Sequence, residues 1–169
     1  MQPGTPGLWK SVLIPFITAV ILIQNLYTGI MKNITGNLAT FLGATILLVF
    51  GLIYLFRNSF MPYHSAAVSM EWAQLGPASQ YLILALMRAT SGGFISSAFA
   101  MIFLQYQYSR YRITWIPLLI LVTGTIAMIC ISHATLIISL HTPGRPPLAL
   151  AIVGEALLIV GFIFNRRCH

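Results

Sequence analysis

Long apolar runs separated by short polar segments dominate the hydropathy pattern of this chain. Five runs approach the roughly 20 residues that a transmembrane helix needs. They cover residues 12–30, 38–56, 80–104, 115–140 and 148–164. Because backbone polar groups in lipid must be satisfied within the protein, and no period-two alternation is present, each run is predicted to be a helix. The predicted fold class is therefore all-α: one domain, 1–169, forming an integral membrane bundle of five transmembrane helices.

The connections between the runs differ in length and character. Three are short predicted turns, at 33–37, 105–114 and 141–147. The other, 57–79, is long enough for a short helix that Ser65 caps and the Gly-Pro pair at 76–77 ends. Its apolar residues fall on one stripe at helical spacing: Val68, Trp72 and Leu75. Such a helix is predicted to lie along the membrane interface, and the alternative is a lid over the mouth of the bundle.

Composition supports the membrane assignment. The chain is 58% hydrophobic and only 7% charged, whereas soluble domains carry about 25% charged residues. Most of the nine basic residues behind the formal charge of +7 lie at the ends of the runs, where they are predicted to act as headgroup and topology anchors. No nucleic-acid module is present, so nucleic acid is not a predicted partner.

The distribution of Lys and Arg predicts the orientation. Five basic residues fall on one side of the predicted bundle, at Lys32, Arg110, Arg112, Arg166 and Arg167. Three fall on the other, at Lys10, Arg57 and Arg145. The positive-inside rule then places the C-terminus in the cytoplasm and the N-terminus outside.

Three ionisable residues lie inside the apolar runs at one predicted depth. Arg88 lies eight positions after Gln80, and Glu155 lies eight positions after Pro147, near the starts of their runs. His133 lies eight positions before His141, near the end of its run. At a rise of about 1.5 Å per residue, each lies roughly 12 Å below the same membrane face. Charges at such a depth usually face the bundle interior or line a polar pathway.

These residues predict a polar cluster with two interpretations. Arg88 pairs with Glu155 or with Glu71 of the long connection, His133 completes the group, and His64 approaches from above. In one interpretation the cluster is a buried ion pair that fixes helix packing. In the other it is a cavity in which Arg88 anchors an anion or headgroup while the imidazole and carboxyl groups carry protons.

Small residues predict where helices approach one another closely. Two small-xxx-small pairs follow Arg88, formed by Gly92 with Ser96 and by Gly93 with Ser97. The same role is predicted for three glycines of the last two runs: Gly124, Gly154 and Gly161.

Motifs of catalysis and metal binding are absent from the sequence. There is no GxSxG, P-loop, HExxH or CxxC pattern, so no catalytic residue or metal ligand is predicted. His64 and His133 could ligate haem from opposite elements, but no spacing rule selects them, and the cofactor stays open.

Part of the chain resembles known proteins. The segments FMPYH at 60–64, LALMR at 84–88 and SGG at 91–93, together with Trp72, resemble a family of small bacterial multi-span membrane proteins without an established activity. The pattern of Arg88, Gly92 and Gly93 followed by Glu155 in the last run is also similar to that of DoxX-type membrane proteins. The resemblance implies a bacterial inner-membrane protein.

Three functions are compatible with these features. The leading hypothesis is a non-enzymatic protein that binds a membrane lipid, an amphiphile or a partner helix at the polar cluster, as a homo-oligomer or as a subunit of a larger membrane complex. The second is a membrane enzyme or quinone-linked redox accessory that uses His133, Glu155 and His64. The third is a small transporter or channel component, whose polar path would continue to Gln24 and Asn25.

Overall fold

The computed structural model describes residues 34–166, and within that range the chain folds into helices without a strand. The helices are α1 (Ile34–Phe56), α2 (Pro62–Val68), α3 (Pro77–Tyr111), α4 (Ile116–His141) and α5 (Leu148–Arg166). All but the short α2 are long and apolar enough to cross a bilayer, which makes this a multi-span membrane protein. The all-helical prediction is confirmed, whereas the predicted span at 12–30, with Gln24 and Asn25, lies outside the described residues.

Proline and glycine set several of the helix boundaries. Pro77 occupies the first turn of α3 directly after the N-cap Gly76, and Pro117 lies in the first turn of α4. Proline is tolerated there because the first backbone N–H groups of a helix have no internal partner. The Pro- and Gly-containing segment 142–147 separates α4 from α5, in agreement with the predicted turn at 141–147.

Two predicted turns are helical instead. The turn at 33–37 is part of α1 from Ile34 onward, and most of the turn at 105–114 belongs to α3, which continues to Tyr111. Hydropathy ends the apolar run at residue 104, but Gln105 and Tyr108 are both fully buried among other helices. Their polarity is satisfied by tertiary hydrogen bonds, which a hydropathy pattern does not register.

The four long helices form an antiparallel ring around a shared core. α3 and α5 both pack against α4, and the ring closes through α1, whose Gly51 faces Ile95 of α3 and whose Gly43 faces Leu158 of α5. The core contains apolar residues from all four helices: Ala44, Leu47, Ala98, Met101, Tyr108, Ile116, Ile120, Met128 and Leu158. One end of this ring, where α2 lies, is called the α2 end below, and the other is called the opposite end.

Glycines mark the closest helix contacts, as predicted for three of them. A Cβ atom added to Gly124 would come within 2.3 Å of Leu158, and one added to Gly154 within 2.4 Å of Met128. Gly161 fits equally closely against Thr40 of α1. In contrast, no described atom lies within 4 Å of a Cβ at Gly92 or Gly93, and both glycines are exposed together with Ser96, while Ser97 is half-buried. The packing predicted on this face of α3 is therefore not found in the described bundle.

The long connection folds over the bundle at the α2 end. Helix α2 begins at Pro62, before the predicted cap Ser65, and ends at Val68, while Trp72–Gln74 form a separate 3₁₀ turn. The side-chain amide of Gln80 donates to the backbone oxygens of Trp72 (2.8 Å) and Leu75 (3.1 Å) and fastens this turn to α3. The Gly-Pro pair at 76–77 opens α3 rather than ending the short helix.

Helix α2 is held by close contacts with two other elements. Its Tyr63 hydroxyl is hydrogen-bonded to the Tyr54 hydroxyl of α1. On the other side, Gly144 lies so close that an added Cβ would be 2.6 Å from the backbone oxygen of Tyr63 and 3.0 Å from the Ala67 Cβ. These contacts favour the lid interpretation of the connection over a helix that only lies along the interface.

Candidate functional site

The predicted cluster of Arg88, His133 and Glu155 does not form in the bundle interior. Arg88 and His133 are exposed, and the buried polar side chains of the described range are all uncharged. Helix geometry explains the result for Arg88, because Met87 and Ser91 are buried and define the inner face of α3. A residue one position after Met87 is rotated from that face by about 100°.

Glu155 has a different partner from the predicted one. It is half-buried on α5, and its Oε1 atom accepts a hydrogen bond of 2.8 Å from the Thr125 hydroxyl of α4. Its Oε2 atom is buried without a hydrogen-bond partner in the part of the chain that the structure describes. Glu155 therefore joins α4 to α5 and does not pair with Arg88.

The two predicted residues of the long connection occupy different places. His64 of α2 is half-buried and lines a cavity inside the bundle, whereas Glu71 is exposed and lines a groove on the outside. His133 does not line that cavity, so the two histidines do not face one another across it as a pair of haem ligands would. Among the described residues, no group of three His, Cys, Asp or Glu side chains is close enough to hold a metal ion.

The cavity has a volume of about 190 Å³ and lies at the α2 end of the ring. Every described helix contributes to its wall, which is mostly apolar: Ile46, Phe50, Tyr54, Tyr63, His64, Thr90, Phe94, Met128, Ile131, Ala134, Thr135, Ile138, Pro147 and Ala151. No Lys, Arg, Asp or Glu side chain is part of this wall. A cavity of this composition suits an apolar body with a small number of polar contacts.

The polar groups of the cavity gather beneath α2. The His64 ring meets the Tyr63 ring at 4.4 Å and the Tyr54 ring at 6.4 Å between centroids, in both cases edge to face. The backbone N–H of Met61 donates to His64 Nδ1 at 3.3 Å. Because Nδ1 accepts this bond, the neutral ring carries its proton on Nε2, which is then the hydrogen-bond donor of the imidazole.

Burial keeps His64 and Tyr63 uncharged at pH 7. Desolvation lowers the pKa of His64 below its ordinary value of about 6.5, so the imidazole is neutral at pH 7. Desolvation and the hydrogen bond to Tyr54 raise the pKa of Tyr63 well above the ordinary tyrosine range, so its phenol stays protonated. The polar end of the cavity therefore offers an imidazole and two hydroxyl groups but no charge.

We expect the lid to loosen in acid. Since burial lowers the pKa of His64, the open form of α2 binds a proton more readily than the closed form, and closure weakens as pH falls below about 6.5. Hydrogen exchange of the α2 amides should thus be faster at pH 5 than at pH 7.5, after correction for intrinsic exchange rates. His64→Phe, which keeps an aromatic ring but cannot titrate, should remove most of that difference; an unchanged difference would contradict this role of His64.

A second polar cluster lies at the opposite end of the ring. The Gln105 side chain donates to Asn37 Oδ1 of α1 at 2.6 Å and accepts from Asn165 Nδ2 of α5 at 3.2 Å. Tyr108 donates from its hydroxyl to the backbone oxygen of Asn165 at 2.5 Å. Gly36 is packed against this cluster, since its Cβ position lies 2.3 Å from Asn165 Oδ1.

Sequence reasoning missed this second cluster. Its members lie at the ends of apolar runs, where polar residues are usually assigned to turns. One signal was available, because Gln105 and Tyr108 are separated by three positions and so share a helix face. Through these hydrogen bonds the cluster joins three helices: α1, α3 and α5.

Comparisons of the sequence with models of protein families, with curated proteins and with solved structures give no match. The resemblance to small bacterial membrane proteins and to DoxX-type proteins accordingly stays a prediction. The candidate site is thus defined by its own geometry: an apolar cavity in a membrane-spanning bundle, with an uncharged hydrogen-bonding end under a short helical lid.

Proposed function

We propose that this protein binds an uncharged lipophilic molecule in the cavity beneath α2, without catalysing a reaction. The observation that carries the proposal is the combination of an apolar wall with the Tyr54, Tyr63 and His64 side chains at one end. A ligand with a hydrocarbon body and a single carbonyl or hydroxyl group would satisfy both parts of this site. Of the ligand types predicted from the sequence, this geometry favours an amphiphile over an anionic headgroup.

The absence of charge from the wall argues for this ligand class. An anionic or cationic group transferred into the cavity would lose its hydration without meeting an opposite charge, and such a transfer costs several kcal/mol. A neutral carbonyl, in contrast, would exchange one hydrogen bond to water for one from the His64 Nε2–H or a tyrosine hydroxyl. The cavity therefore favours uncharged ligands over charged ones.

A second cavity supports access from the bilayer. It has a volume of about 380 Å³, is more open than the first, and shares four wall residues with it: Tyr54, His64, Thr90 and Ile138. Its remaining wall is apolar and comes from Phe60 and from α2 and α3, including Val68 and Leu86. A lipophilic ligand could thus reach the inner cavity from lipid without crossing water.

Filling the cavity is expected to abolish binding. Ala134 lines the inner cavity, and Ala134→Phe would place a ring in the space that the ligand needs. Native mass spectrometry of the detergent-purified full chain, combined with extraction and identification of bound small molecules, should show a neutral lipophile on the wild type and at least a tenfold lower occupancy on the variant. Ala149→Phe is the matched control, because Ala149 is exposed like Ala134 but lies outside the cavity wall.

The same experiment decides between this function and its alternatives. A wild-type protein that carries no small molecule, or a variant that retains it fully, would contradict the proposal. A redox-active ligand with a visible absorption change on reduction would favour the quinone-linked alternative instead. A place in a homo-oligomer or larger membrane complex, and the transport hypothesis, stay proposals of lower rank because no described feature supports them directly.

A further inference from the structure

A groove with two opposite charges lies on the outer side of α2, away from the inner cavity. It has a volume of about 350 Å³ and is lined by Arg57, Phe60, Pro62, Ser65, Glu71 and Trp72. Arg57 directly follows α1, at the end of a membrane-spanning helix, where side chains meet the lipid headgroups. The groove therefore lies at a level where its ligand can be part of a lipid.

The two charged side chains of the groove are held by local contacts but not by each other. Arg57 Nε donates to the backbone oxygen of Phe60 at 3.4 Å, which holds the guanidinium beside another residue of the groove wall. The backbone N–H of Glu71 donates to the Gln74 side chain at 2.8 Å, which fixes the turn that carries the carboxylate. In the described part of the chain no ion pair joins Arg57 to Glu71, although both line this groove.

We propose that this groove binds the headgroup of a phospholipid that carries both a phosphate and a primary ammonium group. A guanidinium is suited to a phosphate because its planar N–H groups donate two parallel hydrogen bonds. The ammonium would bind Glu71, and the Trp72 ring in the same groove adds a cation–π contact. One cation and one anion in a single groove match a zwitterion, whereas a singly anionic headgroup would leave Glu71 unpaired.

The apolar surroundings of the groove supply a place for the acyl chain. Phe60, which is 5% exposed, lines both this groove and the open apolar cavity between α2 and α3. Trp72 packs against Phe60 with 5.1 Å between ring centroids. A lipid whose headgroup occupies the groove can therefore place a chain along Val68 and Leu86, in contact with the same phenylalanine.

The test measures lipid retention by the full chain. Native mass spectrometry would be run after incubation with phosphatidylethanolamine, phosphatidylglycerol or phosphatidylcholine of identical acyl chains. The wild type should retain phosphatidylethanolamine best. Glu71→Gln should lower its retention about fivefold, as expected for one exposed charge contact, and leave phosphatidylglycerol unchanged. Arg57→Gln should lower the retention of both lipids, whereas Glu71→Asp should keep the preference.

Arg145→Gln is the matched control, because Arg145 is an exposed arginine at the α2 end but outside the groove. Equal losses in Arg57→Gln and Arg145→Gln would overturn the proposal, as would an unchanged lipid preference in Glu71→Gln. Each variant would first be matched to the wild type in melting temperature. Ala134→Phe should retain phosphatidylethanolamine normally, so that the groove and the inner cavity can succeed or fail independently.

Discussion

Gln105→Leu is expected to lower the free energy of unfolding by about 2 kcal/mol, although leucine is the more hydrophobic residue. The Gln105 side chain is fully buried and links Asn37 of α1 to Asn165 of α5. Its removal would leave the half-buried Asn37 oxygen and the buried Asn165 N–H without these bonds, and an unpaired buried group costs about 1–3 kcal/mol. The melting temperature in detergent would measure this loss of stability, and so would the rate at which a protease cleaves the folded chain.

Gln107→Leu is the control for this prediction. Gln107 lies on the same turn of α3 and is only half-buried, with no tertiary hydrogen bond described for it. The Gln107→Leu substitution should change the melting temperature little or raise it slightly. Similar losses for the two variants would mean that the hydrogen-bond cluster at the opposite end does not stabilise the bundle.

Gly144→Val is expected to displace the lid and to abolish ligand binding in the inner cavity. The first added carbon would lie 2.6 Å from the backbone oxygen of Tyr63 and 2.9 Å from Ile138 Cγ2, distances that real Cβ atoms do not show. Since a backbone oxygen cannot rotate away by itself, the contact between α2 and the segment 142–147 must open, at a cost of about 1–3 kcal/mol for such overpacking. Faster hydrogen exchange across Pro62–Val68 and the loss of the bound lipophile would be measured together.

Gly92→Ala provides the comparison for the lid prediction. A Cβ at Gly92 meets no described atom within 4 Å, and Gly92 lies in the interior of α3, where alanine is the better helix former. This variant should keep the lid exchange rate and the bound ligand of the wild type. If Gly144→Val also left both unchanged, the contact between residues 142–147 and α2 would not hold the lid closed.

The two predictions concern opposite ends of one bundle and so separate stability from function. The cluster around Gln105 joins α1, α3 and α5 far from the cavity, and its loss should weaken the fold without changing the ligand that is bound. Gly144 packs against α2, and disruption of this contact by Gly144→Val should release the ligand while the four-helix core remains. A variant of either kind that showed the other phenotype would change this assignment.

Much of the fold follows from hydropathy alone, because in lipid a long apolar run has few alternatives to a helix. The four described long helices correspond to predicted runs, and the contacts of Gly124, Gly154 and Gly161 are those that small residues predict. Helix ends were predicted less well. At Gln105 the chain changes from apolar to polar, but α3 continues to Tyr111. The hydrogen-bond partners of the Gln105 side chain, Asn37 and Asn165, come from helices distant in sequence, so a local pattern does not reveal them.

The site shows where sequence reasoning reaches its limit. The sequence predicts a common depth for Arg88, His133 and Glu155, but depth says nothing about the direction in which a side chain points, and rotation about the helix axis decides that. His64 was selected as a residue approaching from the connection, and it is the member of the predicted group that lines the cavity. Tyr54 and Tyr63 carry no signal of a binding site by themselves, since tyrosines near helix ends normally mark the membrane interface.

The sequence by itself determined that the chain is helical, that it spans a membrane several times, and which glycines of α4 and α5 lie at close contacts. Only the tertiary structure decided which side chains meet: a neutral group of Tyr54, Tyr63 and His64 in place of a charged one, and a buried amide cluster in place of a turn. The physical reason is that hydrophobicity and helix period act locally along the chain. Which side chains meet depends on how the four helices rotate about their axes to bury their closest-fitting faces.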